Sequence, residues 1–266
     1  MNIVVLIKQV PDMEKVKFDR EKGVIDRKSA GTEINPFDLN ALEAAVQLKR
    51  KDEDIHITAL SMGPPSAENA LKEAIARGAD QGILLSDRNF GGADTWATSL
   101  TLAAGIKKIQ NYDLVIAGMQ TVDGDTGQVG SEIAEILDIP HLAYVSDIKE
   151  ASDLLRAEVD IWEGIYLKEM LLPGLLTVTK DINSPSLPKF KDKMRSRKAE
   201  ITVWGYQELE EHLNGEKVGI KGSPTVVKRI EVPKESQRKG KLWRDNMEEA
   251  TDELINIFKE IKVLEA

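Results

Sequence analysis

The sequence predicts an α/β protein built on a doubly wound parallel sheet, with a small β-meander and an extended C-terminal arm that ends in a helix. Three observations lead there. Short, continuous apolar runs alternate with segments of helical periodicity over the first 140 residues, the signature of βαβ units. The segments that follow the apolar runs are rich in Gly, Pro, Asp, Ser and Thr. Beyond about residue 141 the texture changes to closely spaced strand-like segments, then to a stretch rich in Gly, Pro and Lys.

"NIVVLIKQV" reads as one continuous strand buried on both faces. After a polar excursion, "NPFDLNALEAAVQLKRK" places Leu39, Leu42, Ala45, Val46 and Leu48 at helical spacing. "DIHITALSMG" is a strand, and "SAENALKEAIARGAD" a helix ended by Gly78. "GILLSD" is a strand, "TWATSLTLAAGIKKI" a helix and "YDLVIAGM" a strand. "QVGSEIAEILDIP" is a helix stopped by Pro140, with Val129, Ile133, Ile136 and Leu137 on one face. Right-handed crossovers between such strands give a Rossmann-like sheet, which binds ligands beyond the carboxyl ends of its strands. Those ends are "KQVPD", "SMGPP", "SDRNFGGADT" and "AGMQTVDGDTG", so one candidate site lies along one sheet edge.

"AYVSDIKEA", "LLRAEVDIW", "IYLKEMLL" and "GLLTVTKDI" read as a meander. "NSPSLPKFKDKMRSRKAE" reads as an extended loop in which Lys189, Lys191, Lys193, Arg195, Arg197 and Lys198 crowd together, and "ITVWG" as a further strand. Residues 1–213 thus form the nucleotide-binding domain, with the meander and the basic loop at about 183–199. Residues 214–266 form the arm and its helix, whose Met247, Ala250, Leu254, Ile257, Phe258 and Ile261 make an apolar stripe. That helix either packs on a neighbour or folds back on its own domain.

Composition narrows the function. A charge of −9, from 36 basic and 45 acidic residues, opposes general binding to nucleic acid or an anionic membrane. With no Cys, the chain makes no disulfide and performs no thiol chemistry. His56, His141 and His212 lie far apart, without metal-ligand spacing. The apolar run at the N-terminus is too short to cross a bilayer and has no basic lead, which predicts a cytoplasmic protein without membrane insertion.

The glycine-rich segment 118–130, "GMQTVDGDTGQVG", joins a strand to a helix, the setting in which a helix N-terminus receives phosphate. It is neither a phosphate-binding Gly-Lys-Ser/Thr loop nor a Gly-x-Gly-x-x-Gly turn. Its two aspartates need an explanation. Asp125 and Gln128 are spaced as a variant capping box, in which Asp125 accepts from helix amides and fixes those of Thr126, Gly127 and Gln128 toward a phosphate. Asp123 is then free for sugar hydroxyls, and Gly127 and Gly130 admit a large ligand to the backbone. A capped turn with no ligand is the alternative.

"NPFD" (35–38), "LSMGP" (60–64), "ARGAD" (76–80), "VDGDTGQVG" (122–130) and "LPGLLTVTKDINSPSLP" (172–188), in this order, resemble the β subunit of electron transfer flavoproteins over essentially the whole chain. The resemblance implies a heterodimer with an α subunit that carries a redox-active FAD, on which the terminal helix would pack. It also implies an adenine-nucleotide site in β. That site holds structural AMP in the housekeeping branch. In the electron-bifurcating branch it holds a second FAD, which takes hydride from NADH and splits the electrons between ferredoxin or flavodoxin and the α flavin. Two features resemble the bifurcating branch: the compact "DGDTGQV", where AMP-binding members have a longer loop, and "RNFGGADTWATS" (88–99), which flanks the flavin end of the site.

The resemblance places Leu6 and Met62 beside the adenine, and Asn35, Pro36, Phe37 and Asp38 around the adenosine. Gly118, Gln120, Thr121, Val122, Asp123, Gly124, Asp125, Thr126, Gly127, Gln128 and Val129 would hold ribose and diphosphate, and Asp94, Thr95 and Thr98 would face ribityl or ring atoms. Local readings stand beside these: Asn35 or Asp38 as a cap, Phe37 as core, and Asp94 or Thr95 as the cap of the helix that follows. Leu187 sits where the family offers a leucine to acyl-CoA dehydrogenases or other flavin dehydrogenases. No residue looks catalytic, so NADH oxidation would belong to the complex with the α subunit. A nucleotide-binding sensor domain without redox role is the alternative of another class.

Overall fold

In the computed structural model the described residues are 1–12, 17–19, 24–26, 31–151, 154–227, 242–244 and 246–261. The second half of the arm expected from the sequence, residues 228–241, lies outside them. The chain forms two compact units, Met1–Lys228 and Arg229–Ala266.

The first unit opens with β1 (Asn2–Leu6), β2 (Gln9–Pro11), β3 (Lys17–Asp19), β4 (Val24–Asp26) and β5 (Thr32–Ile34), followed by α1 (Pro36–Lys51) and β6 (His56–Met62). Next come α2 (Glu68–Arg77), β7 (Gln81–Leu85), α3 (Thr95–Ile109), β8 (Leu114–Gly118) and α4 (Val129–Leu137). The chain continues through β9 (His141–Ala151), β10 (Leu154–Ile161), β11 (Gly164–Leu171), β12 (Gly174–Val178), α5 (Phe190–Ser196) and β13 (Thr202–Trp204). It closes with α6 (Tyr206–Leu209) and α7 (Gly219–Gly222); α8 (Met247–Glu260) belongs to the second unit.

Nine strands form one sheet in the order β11-β10-β9-β12-β8-β1-β6-β7-β13. All run parallel except β10, which is antiparallel to both its neighbours. The continuous apolar strands follow from burial on both faces. Ile3 and Val5 of β1 join Leu114 and Ile116 of β8 in the core beneath α1 and α2. Val4 and Leu6 join Val115 and Ala117 in a second core with Leu102 of α3 and Ile133 of α4. Each large aliphatic side chain so buried contributes roughly 1.5–3 kcal/mol. Helix α2 ends on Gly78 at φ +131°, whose N–H donates to the Ala74 and Ile75 carbonyls. Helix α1 carries Pro36 in its first turn and Lys49, Arg50 and Lys51 in its last, which suits its dipole.

The structure departs from the sequence reading at five places. The first apolar run is not one strand. It leaves the sheet after Leu6 because the Lys8 N–H turns to Asp38, and Gln9–Pro11 then pairs antiparallel with β5. The polar excursion contains the β3–β4 pair. β12 is not part of the meander but runs parallel between β8 and β9, so β9, β10 and β11 extend the main sheet. The basic loop contains the short helix α5. The first unit continues past residue 213 to Lys228, because Leu213 and Val218 are buried in the core beneath α3. In the second unit, Met247, Leu254 and Ile257 of α8 and Ile261 just after it are exposed, and Asn246 caps the helix through the Glu249 N–H.

Candidate functional site

The carboxyl ends of β1, β6, β7 and β8 lie side by side, and the predicted nucleotide residues gather there. The tightest knot joins the start of α1 to the end of β8. Asn35 is fully buried; its amide nitrogen donates to the Gln120 carbonyl at 2.9 Å, and its amide oxygen accepts from the Val122 N–H at 3.2 Å. It therefore pins the 118–129 loop and makes no side-chain cap to α1. Asp38, also buried, accepts from the Lys8 N–H at 2.8 Å. Burial pushes its carboxyl up to about 7, against hydrogen bonds from the Lys8 backbone, the Asn35 side chain and the Gly118 backbone that pull it down. Gly118 makes this approach possible, since a Cβ there would lie 2.5 Å from Asp38 Oδ1 and 2.7 Å from Phe37 Cβ. Phe37 is half-buried and Pro36 exposed.

Lys8 carries no signal in the sequence, yet it organises the site. Its Nζ donates to Asp123 Oδ1 at 2.7 Å and reaches Thr121 Oγ1 at 3.4 Å. Burial alone would raise the Asp123 carboxyl, but the Lys8 hydrogen bond and charge outweigh it and hold it below the ordinary carboxylate range. An anion site can thus tolerate Asp123, because a cation already pairs with it.

The capping box expected from Asp125 and Gln128 does not form. Asp125 adopts φ +54°, its N–H donates to the Thr121 carbonyl, and its carboxylate accepts from Gln120 Nε2 at 2.6 Å. Helix α4 starts only at Val129, with Gln128 at the cap position and no side-chain cap bond. Among the described residues no acceptor takes the amides of Thr126, Gly127 or Gln128. Gly124 and these residues are exposed, and Gly127 adopts φ +64°. Backbone donors therefore remain available for an anion, by a different route from the predicted one. Gly130 lets α4 close onto β12, where a Cβ would collide with Thr177.

Asp94 caps α3 as expected, accepting from the Ala97 N–H at 3.1 Å. Its other oxygen accepts from the N–H and hydroxyl of Thr225 at 2.9 and 2.8 Å. Burial would raise this carboxyl, but the bonds from Ala97 and Thr225 outweigh it and lower it. Thr95 donates to Glu132 Oε1 at 3.1 Å and Ser99 to Glu132 Oε2 at 2.8 Å, which ties the start of α3 to the first turn of α4. The sequence reading missed Glu132, and its spacing from Thr95 gives no local signal. Thr98 is half-buried one turn into α3.

Leu6 is buried at the end of β1, while Met62 lines a cleft of about 500 Å³ beyond β6 and β7, bounded also by Pro64, Ser86, Arg88 and Phe90. Among the described residues no cluster of His, Cys, Asp or Glu could hold a metal ion, and no helix is long and apolar enough to cross a membrane.

Leu187 stands apart from this edge, on the side of the sheet covered by α1 and α2. It is 86% exposed, and Phe190 beside it is exposed too. Its base is fixed: Glu43 accepts from the Ser186 N–H and hydroxyl, and Arg77 donates to the Ser186 carbonyl.

The model of the electron transfer flavoprotein domain family matches residues 22–209. The chain is 44% identical over 260 residues to the electron transfer flavoprotein subunit beta of Clostridium acetobutylicum, covering 98% of each protein. It is 40% identical over 264 residues to the caffeyl-CoA reductase-Etf complex subunit CarD of Acetobacterium woodii, covering 99% of this chain and 100% of CarD. It is 40% identical over 253 residues to the protein FixA of Azotobacter vinelandii, covering 91% of this chain and 88% of FixA.

Proposed function

Because this chain belongs to the electron transfer flavoprotein family, among its β subunits, we propose that its carboxyl-edge site binds a complete FAD and that the protein is of the electron-bifurcating type. In this reading NADH is the hydride donor. One electron goes to ferredoxin or flavodoxin and the other to the FAD of an α subunit, which serves an acyl-CoA dehydrogenase or another flavin dehydrogenase in the cytoplasm. The similarity to a subunit of a caffeyl-CoA reductase complex supports it.

The observation that carries this reading is the spread of the site. Amides without acceptors lie beyond β8, and the cleft lies beyond β6 and β7. In the sheet order these are two to three strand positions apart, roughly 10–14 Å at the usual spacing. The base and phosphates of an adenine nucleotide bridge that separation, and a dinucleotide would continue from the phosphates to Thr95 and Thr98. The residues present fit such a group. Thr126, Gly127 and Gln128 would donate to its diphosphate, Asn35 and Asp38 set the loop that receives the adenosine, Leu6 and Met62 flank the base, and Thr95 and Thr98 border the ring end. A bound flavin supplies the redox chemistry. The chain orients it, keeps water from the base with Leu6 and Met62, and leaves the two charges of Lys8 and Asp123 balanced beside it. Leu187, with Phe190, presents an apolar contact on a basic segment, which suits a dehydrogenase with an acidic rim.

Purification of the chain with its α subunit, followed by release and counting of nucleotides, tests the proposal. Two FAD per heterodimer is the expected result; one FAD with one AMP moves the protein to the housekeeping branch. A second measurement tests the site itself. Thr126→Ala removes a hydroxyl beside the free amides, and Asp123→Ala leaves Lys8 without its partner. Each is expected to weaken nucleotide retention in the β subunit by about fivefold, the worth of roughly 1 kcal/mol, while the α flavin stays bound. Unchanged retention in both variants removes the 118–129 loop from the site.

A further inference from the structure

The stretch after residue 213 reads as linker, yet its first part is bonded to the site. Gly219 adopts φ +53°, and a Cβ there would collide with the carbonyl oxygens of Asn89 and Gly91, so only glycine lets the chain lie on the 89–91 turn. The Ile220 N–H donates to the Gly91 carbonyl at 3.1 Å. The Asp94 N–H donates to Ser223 Oγ at 2.8 Å, and that hydroxyl donates onward to the Gly219 carbonyl at 2.7 Å. Thr225 gives both its N–H and its hydroxyl to Asp94 Oδ2. Both Asp94 oxygens are thereby engaged within the protein, one by α3 and one by Thr225.

We propose that Gly219–Thr225 is a clasp that holds the 91–98 segment in place for the nucleotide, with Ser223 and Thr225 as positioning residues that act through Asp94. This rests on the reading that 94–98 borders the ring end of the site. Asp94 then works by fixing the start of α3 and the turn before it, and Thr95 and Thr98 are presented as a consequence. Hydrogen bonds to a carboxylate are among the stronger ones in proteins, so loss of the Thr225 hydroxyl is expected to speed local opening of the segment by about tenfold.

The test uses the α/β complex carrying Thr225→Val, Ser223→Ala, both together, or Thr225→Ser. Amide exchange over 91–98 should rise about tenfold in Thr225→Val and further in the double variant, with β1 and β8 unchanged as reporters of the intact body. Retention of the β-site nucleotide on dilution should fall in parallel, and the visible circular dichroism of a flavin in that site should change. Thr225→Ser, which restores the hydroxyl, should recover all three. Unaltered exchange over 91–98 in the double variant overturns the clasp. Faster exchange with unaltered nucleotide retention overturns its positioning role. Identification of the nucleotide in the same samples separates the two readings: AMP that is still lost from the clasp variants sinks the FAD proposal and supports the clasp.

Discussion

Gly118→Ala is expected to destabilise the first unit by about 3 kcal/mol or more, the upper end of what overpacking costs. The new methyl would sit 2.5 Å from Asp38 Oδ1, 2.7 Å from Phe37 Cβ and 2.8 Å from the Phe37 carbonyl carbon. Two of those three atoms belong to or hang directly from the α1 backbone, so no rotamer change relieves them. Helix α1 must shift away from β8, and the Asn35 bonds to Gln120 and Val122 go with it. In a domain of this size each kcal/mol moves Tm by roughly 2–4 °C, which gives a fall of about 6–12 °C together with loss of the β-site nucleotide. Gly124→Ala is the control. A Cβ there meets nothing nearer than Thr121 Oγ1 at 3.4 Å, and its stability should stay within about 1 kcal/mol of the parent. Thermal unfolding of the α/β complex checks both, and equal Tm values for the two variants would show that α1 is not seated on Gly118.

Asp38→Asn is expected to change how stability depends on pH. The Asp38 carboxyl is raised from 3.8 to about 7 in the folded protein by burial. Between those values the folded state binds the proton more readily than the unfolded chain, so stability falls as pH rises from about 4 to about 7 and levels off above. The full effect is at most about 4 kcal/mol at 1.36 kcal/mol per unit. Asparagine keeps the shape and an acceptor for the Lys8 N–H but does not ionise. The variant should therefore match the parent near pH 4.5 and exceed it above pH 7. Asp87, Asp94 and Asp123 are all lowered and act in the opposite sense. Their contribution is lost only as pH drops below about 4, outside this window. Urea midpoints of parent and variant from pH 4.5 to 8.5 measure the difference, and a gap that is constant across that range would place the ionisation of Asp38 elsewhere.

The centre of the sheet was legible because its strands are covered on both sides. A continuous apolar run such as "LVIAG" suits a strand that meets water on neither face, and the helices between such runs carry an apolar face at the right period. The same holds for "GLLTV", whose five residues are all buried, unlike the alternating β10. Its apolar continuity marks a central parallel strand, and only its nearness to the meander disguised it. The site was legible as a location, since glycine-rich turns at the carboxyl ends announce it. Its wiring was not. Lys8 meets Thr121 and Asp123 across 113 and 115 residues of chain, through the adjacency of β1 and β8. Glu132 meets Thr95 and Ser99 only because α3 packs on α4. The capping pattern at Asp125 failed for a related reason: Gln120 competes for the carboxylate, and a left-handed backbone turns it away from the helix.

The position of β12 has a consequence for how the chain assembles. β8 can join β1 once residue 118 has been made, but among the described strands β9 is hydrogen-bonded to that group through Gly174–Val178. The hairpins of β9, β10 and β11 pair through local contacts, whereas the five residues of β12 are the wedge that welds them to the older strands into a single floor.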